Sequence, residues 1–561
     1  MSDSISGLHI KGSDPRKRFY LTPARVMKVW GGVENPDILT KNLPSQIAVE
    51  NRDYTRLKNG PDGEKAAVLL DFGKEINGSI RVITWHITDP ASPQKLHVRF
   101  GESVGEALTD IGINNTTNDH AMRDMYISVP NWSNTETNET GFRFVYIELC
   151  DPDSFVDIMA VEGILKIRDI KRIGNFECSD TLLNKIWETA VWTTHLNMQE
   201  YLWDGIKRDR LVWAGDTLTE TRTILDTFGA NEVLPLSFDY SRDFTLSNGW
   251  MNGMPSYSMW WILSQYRYYM ASGDLGYLRQ QKPYMLEILG RYESMISGEG
   301  KETVSGGHQF LDHFDLGKPD AIHSGHQGLL IMSLEKAEYL LDQMCEHDEA
   351  EKAASAAAKL RKYTPPLTDS KPAEGLTVAA GIRDAKETYD KLIGVGGARG
   401  FSAFLSLYTL EAFNMAGHFD EALKAIRDYW GGMLSIGATS FWEEFDVDWL
   451  ENAARIDEFA EKDKIDVHGT YGSSCFVKYR HSLCHGWCST PAPWMVEHVL
   501  GISVLEPGCR KIAVKPKLGG LDWANGAYPT PFGKVEVCHK KLSDGSLKTE
   551  ISAPAGVEIV R

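Results

Sequence analysis

The segment YLWDGIKRDRLVWAGD, residues 201–216, carries a dense group of charged side chains that could do chemistry. Two aspartates, Asp204 and Asp209, and three basic residues, Lys207, Arg208 and Arg210, lie between Trp203 and Trp213, and a third aspartate, Asp216, follows. Partly buried carboxyl groups beside other charges have shifted pKa values, which a catalytic acid or base requires. A run of charges is more often a solvated turn held by ion pairs. Because the tryptophans would bury this run, the local pattern favours a functional site.

A second segment, SIGATSFWEEFD at residues 435–446, brings a tryptophan and two glutamates to the end of a loop. Trp442 would form an apolar wall beside Glu443 and Glu444, where one carboxylate can act as a general base. A glutamate-rich helix start, which the helix dipole favours, explains the same residues equally well.

Two further segments combine histidines and aspartates with aromatic residues. The polar residues are Asp312, His313, Asp315 and His323 in FLDHFDLGKPDAIHSGH, residues 310–326, and His485 in SLCHGWCSTPAPW, residues 482–494. Neither segment has a metal-ligand pair of the H-E-x-x-H type, and the two cysteines of CHGWC have no second ligand pair nearby. We therefore expect no metal and no other cofactor, and polar residues that line a substrate site.

The bulk composition narrows the classes of partner. Of the 561 residues, 42% are hydrophobic, and the formal net charge is −18 without a block rich in lysine or arginine. Nucleic acid and an anionic membrane surface are disfavoured as partners, because both require a basic patch. The 16 tryptophans and 21 tyrosines suit stacking on sugar rings, although a large helical core also uses aromatic residues.

Cysteine content and the chain start bear on the compartment. Eight cysteines scattered over a long chain do not form the disulfide framework of a small secreted domain. The first stretch, MSDSISGLHIKGSDPRKRF, lacks the apolar run of a signal peptide, and no apolar run is long enough to span a membrane. We expect a cytoplasmic protein, although an exported protein without its signal would have the same sequence.

Periodicity divides the chain into three parts without low-complexity linkers, so we expect the parts to pack together. Residues 1–170 have short strand patterns, with a turn at Asn77-Gly78, and predict an antiparallel β-sandwich. Residues 171–505 have helical spacing, with Ser179 or Asp180 as the first N-cap. About ten to twelve helices fit there, enough for an α/α barrel. Residues 506–561 return to short strands and predict a second β-sandwich.

The order of four segments resembles a known enzyme family. DGIKRDRLVWAGD, FLDHFD, GATSFWEEFD and SLCHGWCSTPAPW, framed by β-regions, look like the α-L-rhamnosidases of glycoside hydrolase family 78. LLDFGKEINGSIRV and VRFGESV also resemble that family's N-terminal β-sandwich, so the resemblance spans roughly residues 60–540. It implies an (α/α)6 barrel flanked by β-sandwiches, and an exo-acting, inverting hydrolase that releases terminal α-L-rhamnose.

The resemblance also implies roles for individual residues. Asp209 falls at the position of the general acid, where the family commonly has Glu, and Glu443 falls at the position of the general base. Residues of the same motifs that are expected to bind the sugar are Asp204, Arg208, Trp213, Asp216 and His485, the last in CHGW where the family commonly has Asn-His. Asp312 is a further polar candidate. Candidates for an apolar wall at the C6 methyl of rhamnose are Trp250, Tyr257, Trp260 and Trp442, of which the last two could equally be core residues.

Two other interpretations stay open. The first is a non-catalytic or degenerate carbohydrate-binding relative, which the Asp at the acid position would allow. The second is an α/α-barrel hydrolase or phosphorylase that acts on another deoxy- or uronic sugar. Glu443 argues against a phosphorylase, which needs an anion site where the base would stand. The expected partner is a glycoside or glycan with terminal rhamnose, and the oligomeric state does not follow from the sequence.

Overall fold

The chain forms a helical region between two regions of β-sheet. A computed structural model describes residues 12–50, 52–61, 64–474 and 476–561. The first eleven residues of the stretch used above to judge targeting, together with Cys475, lie outside the described residues. The expected division into an N-terminal sheet region, a helical middle and a C-terminal sheet region is confirmed.

The elements follow one another in this order along the chain. The strands are β1 Lys17–Leu21, β2 Arg25–Trp30, β3 Gly32–Glu34, β4 Thr55–Lys58, β5 Ala67–Ile87, β6 Gln94–Gly101, β7 Asp124–Val129, β8 Ser133–Glu136, β9 Thr140–Leu149, β10 Phe155–Ile167, β11 Asn175–Cys178, β12 Ile502–Glu506, β13 Lys511–Val514, β14 Trp523–Thr530, β15 Gly533–Lys541, β16 Leu547–Ser552 and β17 Glu558–Val560. The helices are α1 Val104–Ala107, α2 Thr181–Asn197, α3 Thr217–Phe228, α4 Val233–Asp243, α5 Pro255–Ser272, α6 Leu275–Ser294, α7 Pro319–Gln343, α8 His347–Leu360, α9 Lys371–Ala379, α10 Ala385–Thr388, α11 Ser406–Met415, α12 Phe419–Ser435, α13 Val467–Thr470 and α14 Pro491–His498.

The N-terminal strands β1–β10 form one hydrogen-bonded sheet. Its main path is β3-β4-β10-β5-β9-β6-β7, while β1 pairs with β10 and both β2 and β8 pair with β5. The predicted turn at Asn77-Gly78 is wrong, because β5 runs through both residues from Ala67 to Ile87. Gly78 lies opposite Leu165 and Thr140, and a Cβ there would overlap the carbonyl oxygen of Ile164. The glycine thus permits close approach of a neighbouring strand instead of a chain reversal.

The helical region begins where the sequence predicted. Asp180 is the N-cap of α2, since its Oδ1 accepts hydrogen bonds from the amides of Leu182 and Leu183. Buried apolar and aromatic side chains follow at helical spacing, including Leu183 and Trp187. Deeper in this region several tryptophans are fully buried, namely Trp260, Trp261, Trp430 and Trp494. Such large side chains give the helices an extensive common core.

The C-terminal sheet region contains a strand from before the helices. Strand β11 pairs with β14, so one four-stranded sheet has the order β11-β14-β15-β16. A three-stranded sheet, β12-β13-β17, completes this region. Strand β11, which precedes α2, thus shares a sheet with strands that follow the helical region, while the chain leaves α14 into β12 of the three-stranded sheet.

Buried polar contacts also join the N-terminal sheet to the helical region, as the absence of linkers predicted. Arg143 in β9 binds Asp71 through two nitrogens at 2.8 and 3.0 Å and donates to the carbonyl oxygen of Gly437 at 3.0 Å. Within the described ranges, none of the helices combines the length and apolar character needed to cross a membrane.

Candidate active site

A cavity of about 310 Å³ gathers most of the predicted site residues. The predicted residues on its wall are Asp204, Asp209, Trp213, Asp216, Tyr257, Glu443 and His485. They come from the loop between α2 and α3, the start of α5, and the segments before α13 and α14. Side chains that are far apart in sequence thus meet at one place.

Asp204 shapes the loop that carries the first group of charges. Its Oδ1 accepts from the amide of Leu211 at 2.9 Å, and its Oδ2 accepts from the amide of Asp209 at 3.2 Å. The amide of Gly486 donates to the carbonyl oxygen of Asp204 at 2.8 Å, which ties the loop to the segment of His485. The peptide bond between Arg208 and Asp209 is cis. Asp204 therefore holds the loop in shape as well as facing the cavity.

Arg208 links the two carboxyl groups that the sequence singled out. Its Nη2 lies 2.7 Å from both oxygens of Glu443, and its Nη1 lies 3.1 Å from Oδ1 of Asp209. The guanidinium packs over the ring of Phe476, 4.5 Å from the centroid, and its Nε donates to the carbonyl oxygen of Arg480 at 3.1 Å. A guanidinium held this firmly fixes both carboxyl groups relative to each other.

His485 lies among three carboxyl groups. Its Nε2 is 3.6 Å from Oδ2 of Asp204 and 3.5 Å from Oε1 of Glu443, and its Nδ1 is 3.6 Å from Oδ1 of Asp216. Burial opposes protonation of this histidine, but the surrounding carboxylates outweigh burial and raise its pKa. An imidazolium here would reduce the repulsion between the carboxylates on the cavity wall.

Two carboxyl groups at the start of α3 are buried so deeply that they favour the neutral form. Burial raises the pKa of Asp216 well above its ordinary value, and the negative charges of Asp204 and Glu443 add to this effect. Burial likewise raises the pKa of Glu220, one helical turn further on. Glu220 packs against the backbone of Gly486, where a Cβ would overlap its Oε1. A neutral Asp216 can donate a hydrogen bond to a ligand hydroxyl.

The remaining wall of the cavity is largely aromatic. Trp213 and Tyr257 meet edge to face with centroids 6.1 Å apart. Burial, followed by the nearby positive charges, lowers the pKa of His313 to about 3, so this ring is neutral and belongs to the apolar wall. Aromatic faces beside hydrogen-bonding groups suit a sugar, which has both apolar C–H faces and hydroxyls.

Other predicted residues lie around the cavity without facing it. Arg208 lies behind Asp209 and Glu443. Asp312 faces a neighbouring cavity of about 420 Å³, which shares Glu443 and His313 with the first. The indole of Trp442 is 1% exposed. The ring of Trp250 is covered by Arg291 and Tyr292. Roles of these four residues in sugar binding stay predictions, and Trp260 is a fully buried core residue.

His313, one of the polar residues expected to line a substrate site, does line this cavity, whereas six further lining residues were not predicted: Met254, His308, Phe310, Leu316, Phe476 and Trp487. Phe310 and Trp487 stand in segments that the sequence did mark, so their neighbours were the available signal. Phe476 and His308 stand in segments with no chemical pattern. Their positions follow from packing between loops that are distant in sequence. The spacing of hydrophobic residues along the chain does not predict such packing.

One buried group has the composition of a metal site. The ligand atoms of Glu102, Glu106 and His468 lie within 4.8 Å of one another. Lys207 already provides a cation there, since its Nζ is 2.8 Å from Glu102 and 3.2 Å from Glu106. Both ring nitrogens of His468 have partners, the hydroxyl of Ser103 and the carbonyl oxygen of His481. The group is therefore explained as an ion pair that anchors the loop.

A helical region that holds paired carboxyl groups beside an aromatic cavity, with sheets on both sides, is the architecture of a class of glycoside hydrolases. Residues 171–364 match the family described as bacterial alpha-L-rhamnosidase 6 hairpin glycosidase domain, and residues 501–560 match the bacterial alpha-L-rhamnosidase C-terminal domain. These matches confirm the resemblance to the α-L-rhamnosidases of glycoside hydrolase family 78. Residues 171–364 and 501–560 are thus similar to two domains of bacterial α-L-rhamnosidases.

Individual relatives agree with these matches. An alpha-L-rhamnosidase of Alteromonas sp. (strain LOR) is 22% identical, with 89% of this chain and 56% of the relative covered. A GH78 rhamnosidase of Bacillus sp. GL1 has a similar structure, with a TM-score of 0.74, 20% identity, and coverage of 93% of this chain and 55% of that chain. The rhamnosidase of Streptomyces avermitilis, solved with L-rhamnose, gives a TM-score of 0.70 at 18% identity over 88% and 48% of the two chains. The chain thus spans only part of these relatives.

Proposed function

We propose that this protein is an exo-acting, inverting glycoside hydrolase that releases terminal α-L-rhamnose from rhamnosides or rhamnose-containing glycans. The family matches and the carboxyl groups in one aromatic-walled cavity support this proposal. Two structural relatives were solved with rhamnose. We also propose the finer architecture: a β-sandwich over residues 1–170, an (α/α)6 barrel over 171–505 and a β-sandwich over 506–561.

The observation that carries the proposal is the single guanidinium of Arg208, which binds both Asp209 and Glu443. Inverting hydrolysis needs two carboxyl groups on opposite sides of the anomeric carbon, about 6.5–9.5 Å apart, so that water fits between them. A cation that contacts both groups holds them in a fixed position relative to each other. Asp209 and Glu443 therefore suit the two roles of this mechanism, one carboxyl group that donates a proton and one carboxylate that accepts a proton from water.

In the proposed mechanism Asp209 protonates the departing glycosidic oxygen while Glu443 removes a proton from the attacking water. The water oxygen forms the new bond to the anomeric carbon as the glycosidic bond breaks, so the configuration inverts. The side chain of Asp209 is 22% exposed, which lets it regain a proton from solvent after each turnover. Glu443 is buried in a bidentate contact with Arg208, an arrangement of an ionised carboxylate.

The sugar would be held by the remaining groups on the cavity wall. Asp204, Asp216 and His485 face the cavity with acceptors and donors for ring hydroxyls. Trp213 and Tyr257 provide an apolar surface for the C6 methyl group. We propose supporting roles for Asp312, Trp250 and Trp442, which lie next to this wall.

The test is hydrolysis of p-nitrophenyl α-L-rhamnoside by the wild-type protein and by Asp209→Asn and Glu443→Gln. On this substrate Glu443→Gln should lose activity by about 10²–10⁴-fold, the usual contribution of a general base. Asp209→Asn should lose activity to a similar extent on methyl α-L-rhamnoside, because its poor leaving group needs the proton of the acid. The first sugar released should be the β-anomer, observed by NMR before mutarotation. The matched control is Glu461→Gln at an exposed position outside the cavity, which should keep wild-type activity.

Azide distinguishes the two roles. A small anion can replace the attacking water when the base is gone, so azide should restore turnover in Glu443→Ala and form the β-rhamnosyl azide. Asp209→Asn should instead lose the alkaline limb of the pH profile of kcat/KM. Wild-type protein that binds rhamnosides and hydrolyses neither the aryl substrate nor natural rhamnosides would establish the carbohydrate-binding interpretation in place of this proposal.

A further inference from the structure

A loop of the N-terminal sheet region reaches the proposed acid. Residues 108–123 connect α1 to β7, and His120 near the end of this loop contacts Asp209. Its Nδ1 lies 3.1 Å from the backbone oxygen of Asp209, and its Nε2 lies 3.5 Å from Oδ1 of the same residue. A side chain from the sheet region therefore meets both the backbone and the carboxyl group of one residue in the helical region.

These two contacts determine which nitrogen of the His120 ring carries a hydrogen and how the ring can bind the carboxyl group of Asp209. The backbone oxygen can only accept, so Nδ1 of His120 must carry a hydrogen. In the charged ring Nε2 is a donor as well, so it can hydrogen-bond to Oδ1 while the proton of a protonated Asp209 stays on Oδ2. The same contact suits the carboxylate that remains after the proton has left, so the pair keeps favourable contact in both states through which an acid must pass. Since Arg208 and His120 both approach Oδ1, the carboxyl group is oriented with its other oxygen available for the substrate.

The loop is fastened so that His120 stays in place. Asp119 binds Nη2 of Arg480 at 2.6 Å, and the carbonyl oxygen of Asn114 accepts from the amide of Tyr479 at 3.2 Å. The carbonyl oxygen of Arg480 in turn accepts from Nε of Arg208. The same short segment thus positions both side chains that contact Asp209. His120 itself has φ of 66°, the left-handed region that a non-glycine residue adopts when surrounding contacts hold it.

We propose that His120 is a positioning residue for Asp209, and that the N-terminal sheet region thereby completes the active site on the leaving-group side. This inference rests on the proposed function, in which Asp209 is the general acid. The charged groups around the pair are Asp119, Arg208 and Arg480, all of which belong to the same network.

The test compares two substrates that depend differently on acid catalysis. Methyl α-L-rhamnoside has a poor leaving group that needs a proton, whereas p-nitrophenyl α-L-rhamnoside has a good one that needs little help. In His120→Ala, kcat for the methyl glycoside should fall by about 10–100-fold, a fraction of what a general acid contributes. The value for the p-nitrophenyl glycoside should fall by less than about threefold, because its departure hardly uses the acid.

Further variants separate this role from a structural one. Ile113→Ala, in the same loop at a 57% exposed position, is the matched control and should change neither rate. Asp119→Asn, which weakens the attachment to Arg480, should give the same leaving-group dependence with a smaller amplitude. His120→Gln should recover part of the methyl glycoside rate, because its amide can still donate to the backbone oxygen. If His120→Ala does not fold, Asp119→Asn and His120→Gln carry the same comparison.

The outcomes separate the inference from the function on which it rests. Equal loss on both substrates, or no loss on either, in a folded His120→Ala protein overturns the inference and leaves the hydrolase intact. A wild-type protein that cleaves neither substrate removes the proposed function itself.

Discussion

Burial controls the charge of carboxyl groups that surround the cavity, and Asp315 shows this effect in a simple form. This residue is fully buried, and its Oδ2 accepts from the hydroxyl of Ser370 at 2.9 Å. Among the described residues its Oδ1 has no hydrogen-bond partner. Burial, with a smaller contribution from Asp312, raises the pKa of Asp315 to about 7. The folded protein therefore keeps a neutral carboxyl group here in mildly acidic solution.

The change Asp315→Asn should alter how stability depends on pH. An unfolded chain ionises this carboxyl near its ordinary pKa of 3.8, whereas the folded protein holds the proton up to about pH 7. Stability from this group is complete below pH 4 and is lost as pH rises to 7, by at most about 1.4 kcal/mol per pH unit. We expect similar melting temperatures for wild type and variant below pH 4, and a variant that becomes progressively more stable than wild type up to pH 7 and stays so at pH 8.

The control for this prediction is Asp369→Asn, whose side chain is 82% exposed in the wild type. It should follow the wild-type curve at every pH. Parallel melting curves for Asp315→Asn and wild type would contradict the assignment of a neutral buried carboxyl group.

At this scale the sequence predicted which residue types would meet. One cavity is lined by five of the predicted residues: Asp204, Asp209, Asp216, Glu443 and His485. Each of them stands in one of the short motifs that the sequence analysis marked. The motifs contain no information on His120, whose neighbours in the chain are polar loop residues without a chemical pattern. Its place depends on how a loop of one region folds over another.

At the scale of elements, the loop between α2 and α3 is anchored from beneath by Lys207. The Nζ of this buried lysine contacts Glu102 and Glu106 as well as the carbonyl oxygens of Tyr479 and His481. Burial opposes the charge, but the two glutamates raise the pKa of Lys207. The ammonium therefore connects the N-terminal sheet region to the loop that carries Asp204, Arg208 and Asp209.

The change Lys207→Met should loosen this loop. It leaves Glu102 and Glu106, each 1% exposed, without their shared cation, which costs about 3–5 kcal/mol when one partner of a buried pair is removed. We expect a lower melting temperature and faster hydrogen exchange in residues 204–216, measured by mass spectrometry. Turnover in the proposed reaction should fall as the loop loses its order. Lys185→Met, at an exposed position of α2, should leave all three properties unchanged. Unaltered exchange in the loop of the Lys207 variant would refute its role as anchor.

Among the elements, the start of α2 was predicted correctly from the sequence, whereas the turn at Asn77-Gly78 was not. The start of α2 at Asp180 followed from an N-cap residue before a helical apolar pattern. Asn77-Gly78 was predicted to be a turn because such pairs usually form one. In the structure both residues lie within β5, and glycine is needed because β10 passes too close to Gly78 for a Cβ. Local rules therefore succeeded where local contacts dominate and failed where a distant strand sets the geometry.

At the scale of the whole molecule, Arg143 joins the N-terminal sheet to the helical region. It pairs with Asp71 inside the sheet region, and it reaches Gly437 and Asp457 after α12. All the side chains in this contact are largely buried. The division into three regions was predictable from changes in periodicity, whereas these contacts were not, because their partners are hundreds of residues apart.

The change Arg143→Met should uncouple the two regions. It removes one arginine from Asp71 and from Asp457, which keep Arg25 and Arg455 as partners, so the cost should lie below the about 3–5 kcal/mol of a fully uncompensated buried charge. Calorimetry should show the onset of unfolding at a lower temperature, with the N-terminal sheet region separating from the main transition. The control Arg18→Met removes an arginine whose contact with Glu136 stays within the sheet and is partly exposed, so it should not divide the transition. A single transition at the wild-type temperature in Arg143→Met would show that other contacts suffice.

Strand β11 has a consequence for how the chain is made. Its partner β14 follows the entire helical region, so a ribosome releases β11 long before the strand that will cover it. Until then the strand exposes an unpaired edge, which other chains can join. The four-stranded sheet can be completed only after the entire helical region has been translated, so its closure joins the segment before α2 to a segment that follows α14.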